Sequence, residues 1–273
     1  MDKLYDKSKE ASDYLKSKGL VSADIGIVLG TGLGNLAEQI KAVVSIPYHD
    51  IPHFPLSTVE SHTGRLIYGD LEGKMVVAMQ GRFHYYEGYS GAEITFPIRV
   101  MKLLGIKTLL VSNAAGTVNP DFKKGELMMI DDHINMIPDN PLRGQNDDRF
   151  GPRFPDMSQP YDPQLNNLIK TIALEKGITL HEGIYTPVAG PNLETRAEYR
   201  YLRGIGTDAV GMSTAPEVIV ANHMGVRCCA ISVLTDECDP DNLAPVSIAE
   251  ILEIAGRAEK DLTEIYKELV KRI

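Results

Sequence analysis

Short apolar runs alternate with longer segments of helical period along the whole chain. Ile25-Gly26-Ile27-Val28-Leu29 is unbroken by polar residues and leads into glycines, the pattern of a strand buried on both faces. Similar runs at Thr108–Ser112, Leu127–Ile130, Gly183–Ala189, Asp208–Gly211 and Val226–Val233 predict further strands. Arg65–Tyr68 and Met75–Met79 flank the turn residues Asp70-Leu71-Glu72-Gly73, which predicts a hairpin. Leu4, Tyr5, Ala11, Tyr14 and Leu15 recur at near-helical spacing within residues 2–18, with Gly19 as a stop. Helical period returns at 91–104, 161–176, 194–204, 214–224 and 246–270. The alternation predicts an α/β fold around a largely buried central sheet. Residues 138–160 are Pro-rich, polar and without period, too long for a simple connection, so they make a functional loop or an interface segment.

Composition narrows the picture. The 273 residues correspond to one large or two small domains, at roughly 150 residues each. No repeat, low-complexity tract or compositional break divides them, so one domain spanning residues 1–273 is expected. A formal charge of −9 argues against a sequence-independent nucleic-acid binder and against a binder of anionic membranes. A small anion must then be met by a few placed donors. Cys228, Cys229 and Cys238 make no disulfide framework, and no leader-like apolar segment follows Met1. No apolar run approaches the roughly 18 residues of a membrane span. These features point to a soluble cytoplasmic chain with reduced thiols.

Chemistry-bearing residues gather at a few places. Gly30-Thr31-Gly32-Leu33-Gly34 follows the first strand and is either a tight turn or a cradle of backbone N–H groups for an anion. Asn35 stands where a dinucleotide fingerprint needs glycine, and no Lys-Ser/Thr closes the loop, so both nucleotide-loop readings fall. In Gln80-Gly81-Arg82-Phe83-His84-Tyr85-Tyr86-Glu87-Gly88-Tyr89, Arg82 and His84 project to one side, as a polar surface pair or as donors to phosphate. His62 is a further candidate donor. Asn113-Ala114-Ala115-Gly116 supplies small residues after a strand, where sheets of this class bind ligands or pack closely on helices.

Gly211-Met212-Ser213-Thr214-Ala215 has the strand–turn–helix placement of a nucleophile elbow. Only His223 follows Ser213, and none follows Asp236, so a hydrolase triad fails on chain order. Ser213 is left as a hydroxyl donor at a helix start. Glu194 either complements a helix dipole or accepts two N–H bonds from a heterocycle. Asp236 is a solvated turn acid or a strand-end general acid. Asp131-Asp132-His133 lacks metal-ligand spacing, so no metal is expected.

In their order along the chain, these segments, with Ser61–Gly64, Asp132–Asn135, Asn140–Gly144 and Gly190–Thr195, closely resemble the trimeric purine nucleoside phosphorylases from about residue 20 to 270. The resemblance implies one α/β domain whose central mixed sheet partly closes into a barrel. It implies phosphorolysis of inosine, guanosine and their deoxy forms to free base and (deoxy)ribose 1-phosphate. Inorganic phosphate is the co-substrate, with no other cofactor. It also implies a homotrimer in which Phe154 reaches a neighbouring subunit's site. Phosphate contacts fall to Thr31, His62, Arg82, His84, Ser213 and the backbone N–H of Ala114. The purine falls to Asn113, Leu193, Glu194, Val210 and Asp236, and the ribose to Tyr86, Met212, Ile248 and the neighbour's copy of Phe154. Asp236, His84 and Glu194 are the expected catalytic residues. Thr31 replaces the family's usual Ser and keeps the hydroxyl.

Two positions depart from the pattern. Asp236 stands where members specific for 6-oxopurines have Asn, and Ile248 stands near a usual His. Both look like the related methylthioadenosine phosphorylases, and an ionised Asp, which only accepts hydrogen bonds, suits the 6-amine of adenine. Glu194 opposes this, because that branch has Ser there and a carboxylate suits the N1–H and N2–H donors of 6-oxopurines. The expected substrates are therefore inosine and guanosine. A phosphorylase for adenosine or 5′-methylthio nucleosides is the alternative, and a non-catalytic nucleoside-binding protein is the reading from another class.

Overall fold

The apolar run Ile25–Leu29 forms strand β1, buried at every residue, in a computed structural model that describes residues 3–30, 34–56 and 63–273. It lies between two parallel neighbours, β4 (Lys74–Gln80) and β5 (Thr108–Thr117), which is why it shows no polar alternation. β4 makes the expected hairpin with β3 (Arg65–Leu71), and Glu72 and Gly73 turn it at positive φ. An edge strand absent from the sequence reading, β2 (Lys41–Pro47), pairs antiparallel with β3. It is mostly exposed, so it carries no apolar run to betray it.

Strands β6 (Leu127–His133), β7 (Leu180–Pro187), β8 (Ala209–Gly211) and β9 (Arg227–Glu237) complete one sheet in the order β2-β3-β4-β1-β5-β8-β7-β6-β9. Because β9 also pairs with β5, the last five strands close into a barrel. β5 belongs to both parts: Thr108–Val111 pairs with β1 in the open sheet, and Gly116 and Thr117 pair with β8 in the barrel. The apolar pattern ends these strands at Ser112 and Val233, whereas pairing carries them on to Thr117 and Glu237. Asn113–Gly116 and Asp236 therefore lie within strands, not after them. Ala115 pairs with Leu234 and Gly116 with Asp236, which leaves Thr235 as an extra, bulged residue.

Helices cover both faces. Side chains of α1 (Lys3–Ser17), α4 (Phe96–Leu103) and α7 (Ala215–His223) share one core, and α3 (Gly91–Ile94) leads into α4. Those of α2 (Asn35–Gln39), α5 (Pro163–Lys176) and α8 (Ile248–Arg272) share the other. α6 (Arg196–Gly204) packs its Tyr199 and Leu202 with Val118, Val210 and Cys238 in a smaller cluster. The sequence sets the ends of α5 plainly: Asp162 accepts the Gln164 and Leu165 N–H groups, Pro163 opens the first turn, and Gly177 closes it in the left-handed conformation. Residues 138–160 remain irregular but for isolated turns. Cys228, Cys229 and Cys238 are buried free thiols. Among the described residues no helix is long and apolar enough to cross a membrane.

A buried polar contact ties α8 to the sheet: the Tyr266 hydroxyl donates to the Val111 carbonyl at 2.6 Å. Tyr266→Phe strands that acceptor and should lower the unfolding free energy by about 1–2 kcal/mol in urea titration. An unchanged midpoint and slope would show that the bond contributes nothing net.

Candidate active site

The parallel strands β1, β4, β5 and β9 point their carboxyl ends at one cleft, where sheets of this kind place their ligands. Gly30, at the end of β1, lets the chain pass close: a Cβ there would lie 2.8 Å from the Ser112 carbonyl oxygen and 2.9 Å from Asn113 Cα.

Arg82 follows β4 and is only 1% exposed. Its Nη1 donates to Ser213 Oγ at 2.9 Å and to Thr214 Oγ1 at 3.0 Å. Its Nη2 donates to the carbonyls of Ser112 and, at 3.4 Å, Val28. Glu217 Oε1, on α7, stands 3.6 Å from Nη1 and supplies the counter-charge that a buried cation requires. Since Ser213 Oγ accepts from Arg82, its own hydrogen is available to an acceptor in the cleft.

The turn from β8 into α7 is strained. Thr214 has φ 72° and ψ −57°, an unfavourable region for a β-branched residue. Two bonds hold it there, from Arg82 Nη1 and from Asn113 Nδ2 at 2.8 Å. Asn113 Oδ1 is buried and has no hydrogen-bond partner among the described residues, an acceptor left for something else. Gly211 admits Tyr185 beneath the turn, where the Ser213 N–H donates to the Tyr185 hydroxyl at 3.3 Å.

His84 is held through Nδ1, 2.9 Å from Glu87 Oε1, while its backbone N–H donates to the same oxygen at 2.8 Å. Its ring stacks on Tyr86 with centroids 4.7 Å apart. Burial lowers the imidazole pKa, and the Glu87 bond opposes that shift.

At the other end of the cleft stand Leu193, Glu194, Val210, Met212 and Asp236. The helix-start role open to Glu194 is taken by Glu198, which makes a reciprocal capping box with Thr195. Glu194 lines the cleft instead. Burial raises its carboxyl above the ordinary range and the charge of Asp236 adds to this, while a bond from the Tyr199 hydroxyl opposes it. Asp236 accepts from Thr235 Oγ1 at 2.9 Å on one oxygen and from Cys238 Sγ at 3.1 Å on the other.

Of the residues singled out from sequence, Arg82, His84, Tyr86, Asn113, Ala114, Leu193, Glu194, Val210, Met212, Ser213 and Asp236 line this one cleft. Thr31 and His62 lie outside the described residues. Ile248 is 67% exposed at the start of α8 and stands apart from the cleft; Ile251, almost a turn further on, lines it instead. Phe154 is 87% exposed on the irregular segment and is not part of this chain's own cleft. Sequence reasoning missed Thr214, Glu217, Tyr199 and Cys238, whose contacts exist only once distant segments meet. Glu87 was legible, three residues after His84 in capping-box spacing.

Comparison with known proteins agrees with this geometry. The family model described as "Phosphorylase superfamily" matches residues 24–271. Purine nucleoside phosphorylase 1 of Bacillus subtilis is 49% identical over 267 residues, covering 98% of each chain. A crystal structure of isoform 2 of purine nucleoside phosphorylase from Schistosoma mansoni, in complex with cytosine and ribose-1-phosphate, superposes with a TM-score of 0.94 at 43% identity, covering 98% of this chain and 97% of that one. A Schistosoma mansoni purine nucleoside phosphorylase in complex with adenosine gives 0.92 at 39% identity, with the same coverage. The chain belongs to the phosphorylase superfamily and, within it, to the purine nucleoside phosphorylases.

Proposed function

We propose that this chain, acting as one domain over residues 1–273, cleaves the N-glycosidic bond of inosine, guanosine and their deoxy forms with inorganic phosphate. The products are the free purine and (deoxy)ribose 1-phosphate. One observation carries this reading: a buried guanidinium with hydroxyls at a helix start faces two carboxylates across a single cleft. The first end suits a phosphate dianion and the second suits the N–H groups of a purine.

A phosphate oxygen attacks C1′ as the C1′–N9 bond breaks, and the bonding pair leaves with the purine. The ribosyl group passes through oxocarbenium character, which the adjacent phosphate charge stabilises. Arg82, Ser213, His84 and the Ala114 N–H, with Thr31 and His62, hold the phosphate. Tyr86 and Met212 bound the ribose, with the partner's copy of Phe154 closing over it in a homotrimer. Asn113, Leu193 and Val210 shape the base pocket. Glu194 accepts from N1–H, and Asp236 stands on the N7 side of the base, where it accepts from N7–H once a solvent proton has reached that nitrogen and relieved the charge of the departing base. No organic cofactor or metal takes part in these steps. The buried thiols suit a reducing, cytoplasmic setting.

A second reading, adenosine as substrate, is favoured by the donors already on both Asp236 oxygens, which present it to the base as an acceptor. Inosine, guanosine, adenosine and methylthioadenosine assayed with and without phosphate separate the readings. Strictly phosphate-dependent base release, strongest with the 6-oxopurines, is the expected result. Release without phosphate, or from none of the four, would contradict the assignment.

His84 gives a pH test. With Nδ1 donating to Glu87, Nε2 carries a hydrogen only in the imidazolium, and burial lowers the pKa. The donor is therefore present at low pH and is lost as pH rises through that lowered value. KM for phosphate should climb as pH rises through that lowered value, starting below the ordinary imidazole pKa of about 6.5, beyond what phosphate's own ionisation causes, and His84→Asn, whose amide needs no proton, should flatten the excess. Equal slopes in both proteins would remove His84 from the phosphate site. For Phe154, replacement by Ala should raise the nucleoside KM about tenfold with an unchanged melting temperature; an unchanged KM would dissociate it from any site.

A further inference from the structure

Glu194 and Asp236 reach the cleft from different elements, yet a buried polar path joins them behind it. Cys238, 2% exposed, donates its S–H to Asp236 Oδ2 at 3.1 Å, and its backbone N–H is fixed on the Thr117 carbonyl at 2.8 Å. Tyr199, 1% exposed on α6, packs against Cys238, and its hydroxyl lies close enough to the Glu194 carboxyl to oppose the rise in that group's pKa. Gly116 makes room for this arrangement: a Cβ there would lie 2.5 Å from Cys238 Sγ and 2.8 Å from Asp236 Oδ2. Beside it the bulge at Thr235 re-aims the strand, and Thr235 Oγ1 donates to the other Asp236 oxygen at 2.9 Å.

We propose that Cys238 and Tyr199 are positioning residues that set the purine preference: Cys238 holds Asp236 as a hydrogen-bond acceptor toward the 6-position of the base, and Tyr199 packs against Cys238 to fix it there. This rests on the reading above, in which the base lies between the two carboxylates. The chemistry is a count of hydrogens. A thiol and an alcohol have one each; that of Cys238 goes to Asp236, and that of Thr235 points to Asp236 at 2.9 Å with the Ala115 carbonyl at 3.3 Å as a weaker second acceptor. What Asp236 then offers the base is lone pairs. A 6-amino group donates to them, whereas the O6 of a 6-oxopurine meets them as a second acceptor. Burial pushes the Cys238 thiol and the Tyr199 hydroxyl well above their ordinary ranges, so both stay protonated and remain donors. The pocket thus takes 6-aminopurine nucleosides alongside 6-oxopurine ones, because Glu194 still serves N1–H of the latter.

The test compares kcat/KM for adenosine and inosine, at saturating phosphate, in the full-length enzyme and its variants. Cys238→Ala removes the donor and frees the Asp236 carboxyl to turn, so the adenosine-to-inosine ratio should fall about tenfold. Cys238→Ser, which restores a donor, should keep the ratio within about threefold of wild type. Tyr199→Phe should raise KM for inosine more than it lowers kcat. Should Cys238→Ala melt too low to assay, Cys238→Val, which fills the volume without a strong donor, takes its place under the same expectation. A ratio unchanged in Ala or Val, or a Ser variant that falls as far as Ala, would overturn the proposal. A wild type that cleaves neither nucleoside would overturn the phosphorolysis reading and this proposal with it, whereas an unchanged ratio in active variants overturns this proposal alone.

Discussion

The structure of the cleft depends on a guanidinium kept out of water. Arg82 is 1% exposed, and a buried cation is tolerated only where charge and hydrogen bonds compensate its lost hydration. The compensation comes from separate parts of the chain: the carbonyls of Val28 in β1 and Ser112 in β5, the Ser213 and Thr214 hydroxyls at the start of α7, and the Glu217 carboxylate in that helix's first turn. Each partner is fixed because Arg82 needs it, and Arg82 is fixed because they surround it. The left-handed backbone of Thr214 persists in this setting, since its hydroxyl accepts from both Arg82 and Asn113. The donor set is thereby assembled in advance, as the proposed phosphate site requires. Preorganisation of this kind costs no rearrangement at the moment of reaction.

The opposite end of the cleft is built on the reverse principle. There Glu194 and Asp236 stand together in the same cleft that Arg82 lines at its other end. Their charges are managed by neutral donors: Thr235 and Cys238 on Asp236, and Tyr199 on Glu194. The cleft is thus polarised, with donors for an anion at one end and acceptors for a heterocycle's N–H groups at the other. An acidic chain of net charge −9 accommodates phosphate because the local field, not the total, decides.

Much of this was legible in the sequence wherever a local pattern carried it. The unbroken run Ile25–Leu29 announced a strand buried on both faces, whereas the three-residue spacing from His84 to Glu87, which fixes the imidazole, went unread. The resemblance rested on ordered motifs and brought most of the cleft's residues together. What was not legible arises from pairing across the barrel. No periodicity in Asn113–Gly116 or Thr235–Asp236 marks a strand, because these residues face the cleft and obey its needs. The exposed edge strand β2 hides for the opposite reason, having almost nothing to bury. Ile248, carried over to the ribose by motif, lies at the exposed start of α8, and Ile251, three residues further on, lines the cleft. Glu217 and Tyr199 have no sequence signature, since their roles are defined by partners far away in the chain.

The central claim is that the donor set around Arg82 delivers phosphate to the sugar as the nucleophile. Phosphorus NMR of a turnover mixture containing inosine and inorganic phosphate tests it most directly. The account predicts a ribose 1-phosphate signal that grows in step with hypoxanthine, one equivalent of phosphate lost per base released. Free ribose with the phosphate signal undiminished would contradict it, because water would then be the nucleophile and the buried cation would have no place in the chemistry.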